Sequence, residues 1–233
     1  MYYTVKYRNA SGKGYLTDGT KNFAKSSLPA PATRGRPRGF DTDQVLGQVR
    51  NTFWRYGYAG TSMDQLSAAT GLHKPSLYGA FGDKKRLYLA ALDNYLAEIR
   101  AEFAEAFALP DLFTSLHAVS ERSIDKFMRG SDGATGCFMM NTAMTEAAED
   151  PEISRVVRES MESLERAMAR RLQKGIEAGQ ISDAVDPQSL AMILVANHYE
   201  LSARARAGYS RTELRTLADR ALDLVKSIAR AGN

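Results

Sequence analysis

One short stretch of the chain combines side chains that bind acceptors and anions. Six residues between positions 73 and 79 are of interest: His73, Lys74, Pro75, Ser76, Tyr78 and Gly79. A lysine ammonium can donate to guanine O6 and N7, a serine hydroxyl can donate or accept, and a tyrosine can reach a phosphate or a thymine methyl. This chemistry suits a surface that reads the edges of bases, provided that one element presents the side chains together.

Helical spacing on both sides supplies such an element. Val45, Val49 and Phe53 recur every four residues, which predicts a first helix over 42–56 that stops at Gly57. The sequence TSMD at 61–64 fits a capping box and predicts a second, short helix with Met63, Leu66 and Ala69 buried.

Pro75 fits the first turn of a third helix that ends near Phe81. On a 3.6-residue period Leu77 and Phe81 point inward, whereas Lys74, Pro75, Tyr78 and Gly79 share the opposite face. Short helices joined by a tight glycine turn form a helix-turn-helix unit, in which the third element enters the major groove. Thr61, Ser62 and Lys84 then lie at helix N-termini, where we expect them to contact phosphates.

The remainder of the chain is also helical in pattern, so the predicted fold class is all-α. Helical segments are expected at 111–129, 141–148 and from Asp150 to Gly179. The last two helices, 187–207 and 212–230, carry small and apolar residues suited to close packing between two copies: Ala191, Ala196, Ala203, Leu217, Ala221 and Val225.

Charge is divided unevenly along the chain. Residues 1–86 hold fourteen Lys and Arg against five Asp and Glu, while the remaining residues are net acidic. A basic N-terminal part favours a polyanionic partner. The sequence RGRPR at 34–38 contributes Arg34, Arg36 and Arg38, which we interpret either as an arm that enters the minor groove or as a basic linker.

Several other classes of protein find little support. No apolar run is long enough to span a bilayer, and the start of the chain lacks the apolar core of a signal peptide. The one cysteine, Cys137, suits a reducing cytoplasm. Three well-separated histidines give no metal-ligand spacing, and neither a phosphate loop nor a catalytic triad is recognisable, so we expect no metal, no cofactor and no enzymatic activity.

The sequence YGYAGTSMDQLSAATGLHKPSLYGAFGDKKRLYLAAL resembles the DNA-binding domain of the tetracycline-repressor (TetR) family of bacterial transcription regulators. The resemblance runs without gaps from about residue 42 to 92. It implies that His73, Lys74, Pro75, Ser76, Tyr78 and Gly79 form the recognition segment. Gly79 and Ala80 depart from the family, which usually has bulkier residues there.

The resemblance also implies an organisation and a mechanism. It places a three-helix DNA-binding domain at 40–86 and a helical-bundle domain for ligand binding and dimerisation at 87–233, while the composition of residues 1–39 predicts a flexible basic arm. A homodimer, paired through the last two helices, would bind a palindromic double-stranded DNA operator and be released by a small-molecule effector of unknown identity. Activation instead of repression stays open, as does a non-specific architectural role in coating DNA.

An effector pocket would use adaptable apolar side chains in the second half of the chain. Nine residues are candidates: Phe113, Phe127, Cys137, Phe138, Met140, Met144, Met161, Met168 and His198. The same side chains also suit an ordinary bundle core. Cys137 follows a glycine-rich loop, as do electrophile-sensing cysteines in some members of the family, so a redox-sensing regulator is an alternative; an inert buried thiol is the other interpretation.

Overall fold

The protein, described by a computed structural model over residues 40–130 and 133–230, is built from helices and contains no β-strand in those ranges. The all-α prediction is therefore confirmed. The predicted basic arm, including Arg34, Arg36 and Arg38, lies outside the described residues. In chain order the helices are α1 (Thr42–Gly60), α2 (Met63–Thr70), α3 (Lys74–Phe81), α4 (Lys84–Phe107), α5 (Leu112–Phe127), a π-helical segment (Met139–Ala143), α6 (Met144–Ala147), α7 (Pro151–Glu177), α8 (Pro187–Arg206) and α9 (Arg211–Arg230).

Aspartate carboxylates cap five of these helices. Each accepts hydrogen bonds from backbone N–H groups of the first turn, which would otherwise lack partners. The capping residues are Asp41, Asp83, Asp111, Asp150 and Asp186. At α7 and α8 a proline follows the cap directly, as the sequence predicts. Ser210 and Glu213 form the predicted capping box of α9.

The start of α2 differs from the prediction by one residue. Ser62, not Thr61, caps the helix: its hydroxyl accepts from the backbone N–H of Gln65, and the Gln65 side chain accepts from the Ser62 N–H at 2.7 Å. Ala69 is exposed, so its predicted burial is wrong. Helical hydrogen bonding in α1 continues to Gly60, but Gly57 has φ 72°, so the predicted stop is present as a break inside the helix.

Two hydrophobic clusters hold the helices together. The first joins α1 to α4 and includes Val49, Phe53, Leu66 and Leu77, all fully buried. It continues without interruption into later parts of the chain, since Phe138 belongs to it. Burying each such side chain contributes roughly 1.5–3 kcal/mol.

The second cluster lies among the C-terminal half of α4 and helices α5, α7, α8 and α9. Because α4 contributes to both clusters, it connects the helix-turn-helix unit to the C-terminal bundle. The predicted domain boundary at residue 87 falls inside this helix. The boundary itself stays a prediction.

Polar contacts also tie the first helices to the later ones. The Trp54 indole N–H donates to the carbonyl of Thr135 at 3.0 Å, and the Tyr88 hydroxyl lies 2.8 Å from that of Thr142 in the π-helical segment. Lys85, in the first turn of α4, lies 2.7 Å from Asp150. These bonds connect α1 and α4 directly to the later helices.

Candidate nucleic-acid interface

Helix α3 presents a polar face to solvent. Its inward side chain, Leu77, is fully buried against the first cluster, whereas Tyr78 is 48% exposed. The remaining predicted recognition residues other than Lys74 are exposed as well: His73, Pro75, Ser76 and Gly79. The turn before α3 depends on Gly71, whose φ of 67° is strained for residues with a side chain.

Lys74 is held in place by the helix before it. Its ammonium lies 2.6 Å from the carboxylate of Asp64 in α2, and both side chains are substantially exposed. An exposed pair of this kind is weak, so the lysine can exchange the carboxylate for a base or a phosphate. Sequence reasoning did not identify Asp64; the pairing crosses two helices, and no local pattern reveals it.

The absence of a side chain at position 79 has no explanation within the protein. A Cβ atom added to Gly79 would meet no atom within 4 Å, and the backbone there is helical. The interior of the fold therefore tolerates alanine at this position. A requirement for glycine has to come from a surface that approaches α3 from outside.

Of the three predicted phosphate contacts, two are accessible. The Ser62 hydroxyl, exposed at the start of α2, accepts from Gln65 and retains its own proton for a further acceptor. The Lys84 ammonium lies 4.5 Å from the centre of the Tyr58 ring, at the start of α4. Thr61 is 2% exposed, and its hydroxyl donates to the Gly57 carbonyl at 2.6 Å. Its predicted phosphate contact does not fit this arrangement, because the side chain supports the break in α1 instead.

The nine candidate pocket residues are distributed over different parts of the helical bundle. Phe127, Cys137 and Phe138 are buried in the first cluster, and Met140 and Met161 pack against it. Phe113 packs against the second cluster, whereas Met144 is 41% exposed. Met168 and His198 both line a cavity of about 20 Å³.

His198 is a buried, hydrogen-bonded residue. Its Nδ1 lies 3.0 Å from the Ser123 hydroxyl, and burial lowers its pKa to about 4. The imidazole is therefore neutral at physiological pH. Its ring packs between those of Phe103 and Phe127, as an interior aromatic side chain would.

Cys137 lacks the surroundings of a reactive thiol. The side chain is buried, and burial raises its pKa above the ordinary value. The Tyr95 hydroxyl donates to its sulfur at 3.5 Å, and Ser202 accepts from its backbone N–H at 2.7 Å. These contacts favour the inert interpretation over redox sensing.

Within the described ranges, no helix has the length and apolar character required to cross a membrane. The same residues contain no cluster of three or more His, Cys, Asp or Glu side chains that could hold a metal ion.

Comparison with known proteins decides the family. Residues 48–91 match the model for bacterial regulatory proteins of the tetR family, and residues 114–227 match the tetracyclin repressor-like C-terminal domain. The HTH-type transcriptional repressor ComR of Escherichia coli K12 is 31% identical over 209 residues, covering 89% of this chain and 96% of ComR. The chain belongs to the TetR family. The predicted family is thus confirmed over most of the sequence, beyond the stretch that carried the resemblance.

Solved and curated TetR-family proteins extend the likeness. The regulator YezE of Bacillus subtilis is 28% identical, covering 74% of this chain and 89% of YezE. The solved structure of a cysteine mutant of the TetR-family regulator CifR superimposes with a TM-score of 0.73 at 27% identity, over 81% of this chain and 98% of that CifR chain. That CifR structure contains a 26-base-pair operator duplex.

Proposed function

We propose that this TetR-family regulator represses transcription by binding, as a homodimer, to a palindromic operator from which a small-molecule effector releases it. That it is a DNA-binding transcriptional regulator follows from its family and relatives. The observation that carries the finer proposal is the exposed face of α3, where Tyr78, Ser76 and Lys74 project from a helix anchored by Leu77. Relatives support it too, since ComR is a repressor and CifR was solved with its operator.

An apolar face on α8 and α9 supports the dimer. Large apolar side chains there are exposed in the single chain: Met192 at 57%, Ile193 at 54%, Leu224 at 58% and Ile228 at 43%. Exposed apolar side chains grouped in this way are typical of protein–protein interfaces. Two residues of the predicted interface need correction, because Ala191 and Val225 are buried within the chain and are unavailable to a partner.

The effector would act through the helices that connect the bundle to α3. In a two-fold dimer the recognition helices must lie about 34–36 Å apart to enter successive major grooves. A ligand that favours a different arrangement of α4 would change this spacing and oppose DNA binding by reciprocal coupling. The cavity at Met168 and His198 has room for about one water molecule. An effector in this part of the bundle would therefore have to displace side chains, which supplies the change that α4 would transmit.

The test is protection of the DNA that flanks the gene for this protein, in the presence of excess random DNA at near-physiological salt. We expect one protected palindrome, because each of the two α3 helices in the dimer would contact the bases of one half-site. Lys74→Ala should weaken specific binding by about 1–3 kcal/mol, the worth of one base contact. The matched control is Lys174→Ala, which removes an exposed lysine on α7, outside the DNA-binding helices and the proposed dimer face.

Equal competition by random DNA would contradict the proposal and favour the architectural role. Equal losses for Lys74→Ala and Lys174→Ala would show that α3 is not the reading helix. The effector step has its own test, in which small molecules are screened for release of the protein from the protected palindrome. If the protein stays bound in the presence of every molecule tested, the release step is contradicted and operator binding alone is supported.

A further inference from the structure

A cleft between α1, α4 and α5 is separate from all the sites discussed so far. It has a volume of about 120 Å³ and lies beneath the segment that follows α5. It adjoins an open groove of about 800 Å³, with which it shares Trp54, Arg129 and Thr135. The cleft thus offers a narrow polar end and a wide opening to solvent.

Cations dominate the narrow end. Arg50, Lys126 and Arg129 line it, against the single carboxylate of Glu98. Glu98 lies 2.9 Å from Arg50 and 3.4 Å from Lys126, and Glu102, outside the cleft, lies 2.9 Å from Lys126. Three cations thus face two carboxylates, which leaves an excess of one positive charge at this end.

Arg50 has hydrogen-bonding capacity to spare. The Nε and Nη1 groups of its guanidinium are buried; Nη1 pairs with the Glu98 carboxylate at 2.9 Å, whereas Nε finds no hydrogen-bond acceptor among the described residues. Buried N–H donors without acceptors are rare in folded proteins, because their lost hydration is not replaced. An anion bound in the cleft would provide the missing acceptor if the guanidinium turned toward it.

Aromatic rings form the wall beside these cations. Trp54 and Tyr95 meet edge to face with ring centres 5.5 Å apart. The charged groups of Arg50 and Lys126 each lie 5.7 Å from the centre of the Tyr95 ring. A flat apolar body could pack against Trp54 while its charged end reaches the cations.

From this arrangement we infer that the cleft binds a small organic carboxylate with an aromatic body. The carboxylate accepts from the Arg50 guanidinium and pairs with Lys126 and Arg129, and the ring lies toward Trp54 and the adjoining groove. Charge-assisted bonds of this kind are strong when the donor is already oriented and partly dehydrated. Inorganic phosphate shares the charge but has no surface to place against the rings.

The position of the cleft gives its occupant a regulatory role. A ligand there contacts α1, which carries the helix-turn-helix unit, as well as α4 and α5. This consequence rests on the proposed function, whereas binding of the carboxylate does not. The experiment below therefore measures binding without DNA.

Trp54 is the only tryptophan in the chain, so its fluorescence reports on this wall of the cleft. The full-length protein is titrated with benzoate, with benzyl alcohol as the neutral analogue and with inorganic phosphate, at constant ionic strength. We expect a saturable change in Trp54 emission with benzoate and at least tenfold weaker binding of the other two probes. Arg50→Gln should weaken benzoate binding at least tenfold, and Arg129→Gln, at an exposed position that leaves the core intact, at least threefold.

The matched control is Arg166→Gln, which removes an exposed arginine paired with Glu162 on α7. It should bind benzoate as the native protein does, and circular dichroism should show that all three variants are folded. Equal responses to benzoate and benzyl alcohol would overturn the assignment of an anion site. If phosphate saturates the site as readily as benzoate, the preference for an aromatic carboxylate is contradicted. If a folded Arg129→Gln variant binds benzoate as the native protein does, the ligand binds outside the cleft.

Discussion

At position 79 the local physics of the helix and the geometry of the surface favour different residues. Glycine in a helix interior is destabilising by roughly 0.5–1 kcal/mol relative to alanine, because more backbone entropy is lost on folding. The fold has space for a Cβ atom at this position, so nothing inside the chain offsets this cost. We attribute the glycine to close approach of DNA to α3.

Gly79→Ala should therefore raise thermal stability and lower operator affinity at the same time. The expected gain is about 0.5–1 kcal/mol in the free energy of unfolding. Thermal denaturation and operator titration measure the two effects. Gly47→Ala is the matched control, because Gly47 lies in α1 and a Cβ atom there also meets nothing within 4 Å.

The control should gain similar stability without losing affinity. Equal operator affinity for the native protein and the Gly79→Ala variant would show that DNA does not approach α3 closely at this residue. Loss of affinity in both variants would point to a general effect of stiffening the domain.

At the scale of single elements, the start of α7 depends on one carboxylate with two roles. Asp150 accepts from the backbone N–H groups of Glu152 and Ile153, and it pairs with Lys85 of α4. The bond from Lys85 is the main reason that the pKa of Asp150 is lowered. Protonating this group weakens a helix cap and a contact between α4 and α7 together.

Because the folded-state pKa of Asp150 is lowered, its contribution to stability is present above the unfolded pKa and is lost as the pH falls through the folded value. Asp150→Asn should thus destabilise the protein at neutral pH, and its difference from the native protein should shrink on acidification. Melting temperatures of both proteins between neutral pH and the lowest pH that keeps them folded measure this.

Lys85→Met separates the two roles, because it removes the ion pair and keeps the cap. In the double variant the effect of Asp150→Asn should be smaller than in the native background. A constant difference between Asp150→Asn and native protein across the pH range would contradict the role of the charge.

Elements were predicted well where the signal is local, and less well where it is not. Asp-Pro pairs fixed the starts of α7 and α8, since a side-chain acceptor and a fixed φ act within one turn. The predicted start of α2 was wrong by one residue, because two pairs fit a capping pattern: Thr61 with Asp64, and Ser62 with Gln65. Burial of Thr61 against α1 favours the second pair, and that contact is not local.

The functional surface shows the same division. Helical periodicity alone placed Tyr78 outward and Leu77 inward, as the structure has them. It could not give the Lys74–Asp64 pair, the π-helical segment Met139–Ala143, which overlaps only the start of the predicted 141–148 helix, or the small cavity at Met168 and His198, since each depends on packing between helices. The burial of Lys126 could have been predicted from spacing, because it falls on the same helical face as Val119 and Ser123 and is buried with them.

At the scale of the whole molecule, the exposed apolar side chains on α8 and α9 favour association with a second copy of the chain. Leu224→Asp places a charge in the middle of the proposed interface and should convert the dimer to a monomer, because an unpaired buried charge is costly. Sedimentation equilibrium across a range of concentrations measures this. The variant should also lose binding to a full palindrome.

Met144→Asp is the matched control, since Met144 is 41% exposed but lies on α6. It should leave the mass in solution unchanged. A native protein that sediments as a monomer would show that no such dimer forms. A Leu224→Asp variant that remains dimeric would show that the interface lies elsewhere.

The proposed pairing through α8 and α9 would also determine how the protein responds to its own abundance. Dimer formation is second order in chain concentration, so below the dissociation constant of the dimer the number of DNA-competent molecules rises with the square of the number of chains. Halving synthesis then reduces operator occupancy about fourfold in that regime. Through such a dimer the four exposed side chains on this face would make the regulator sensitive to gene dosage, in addition to any ligand.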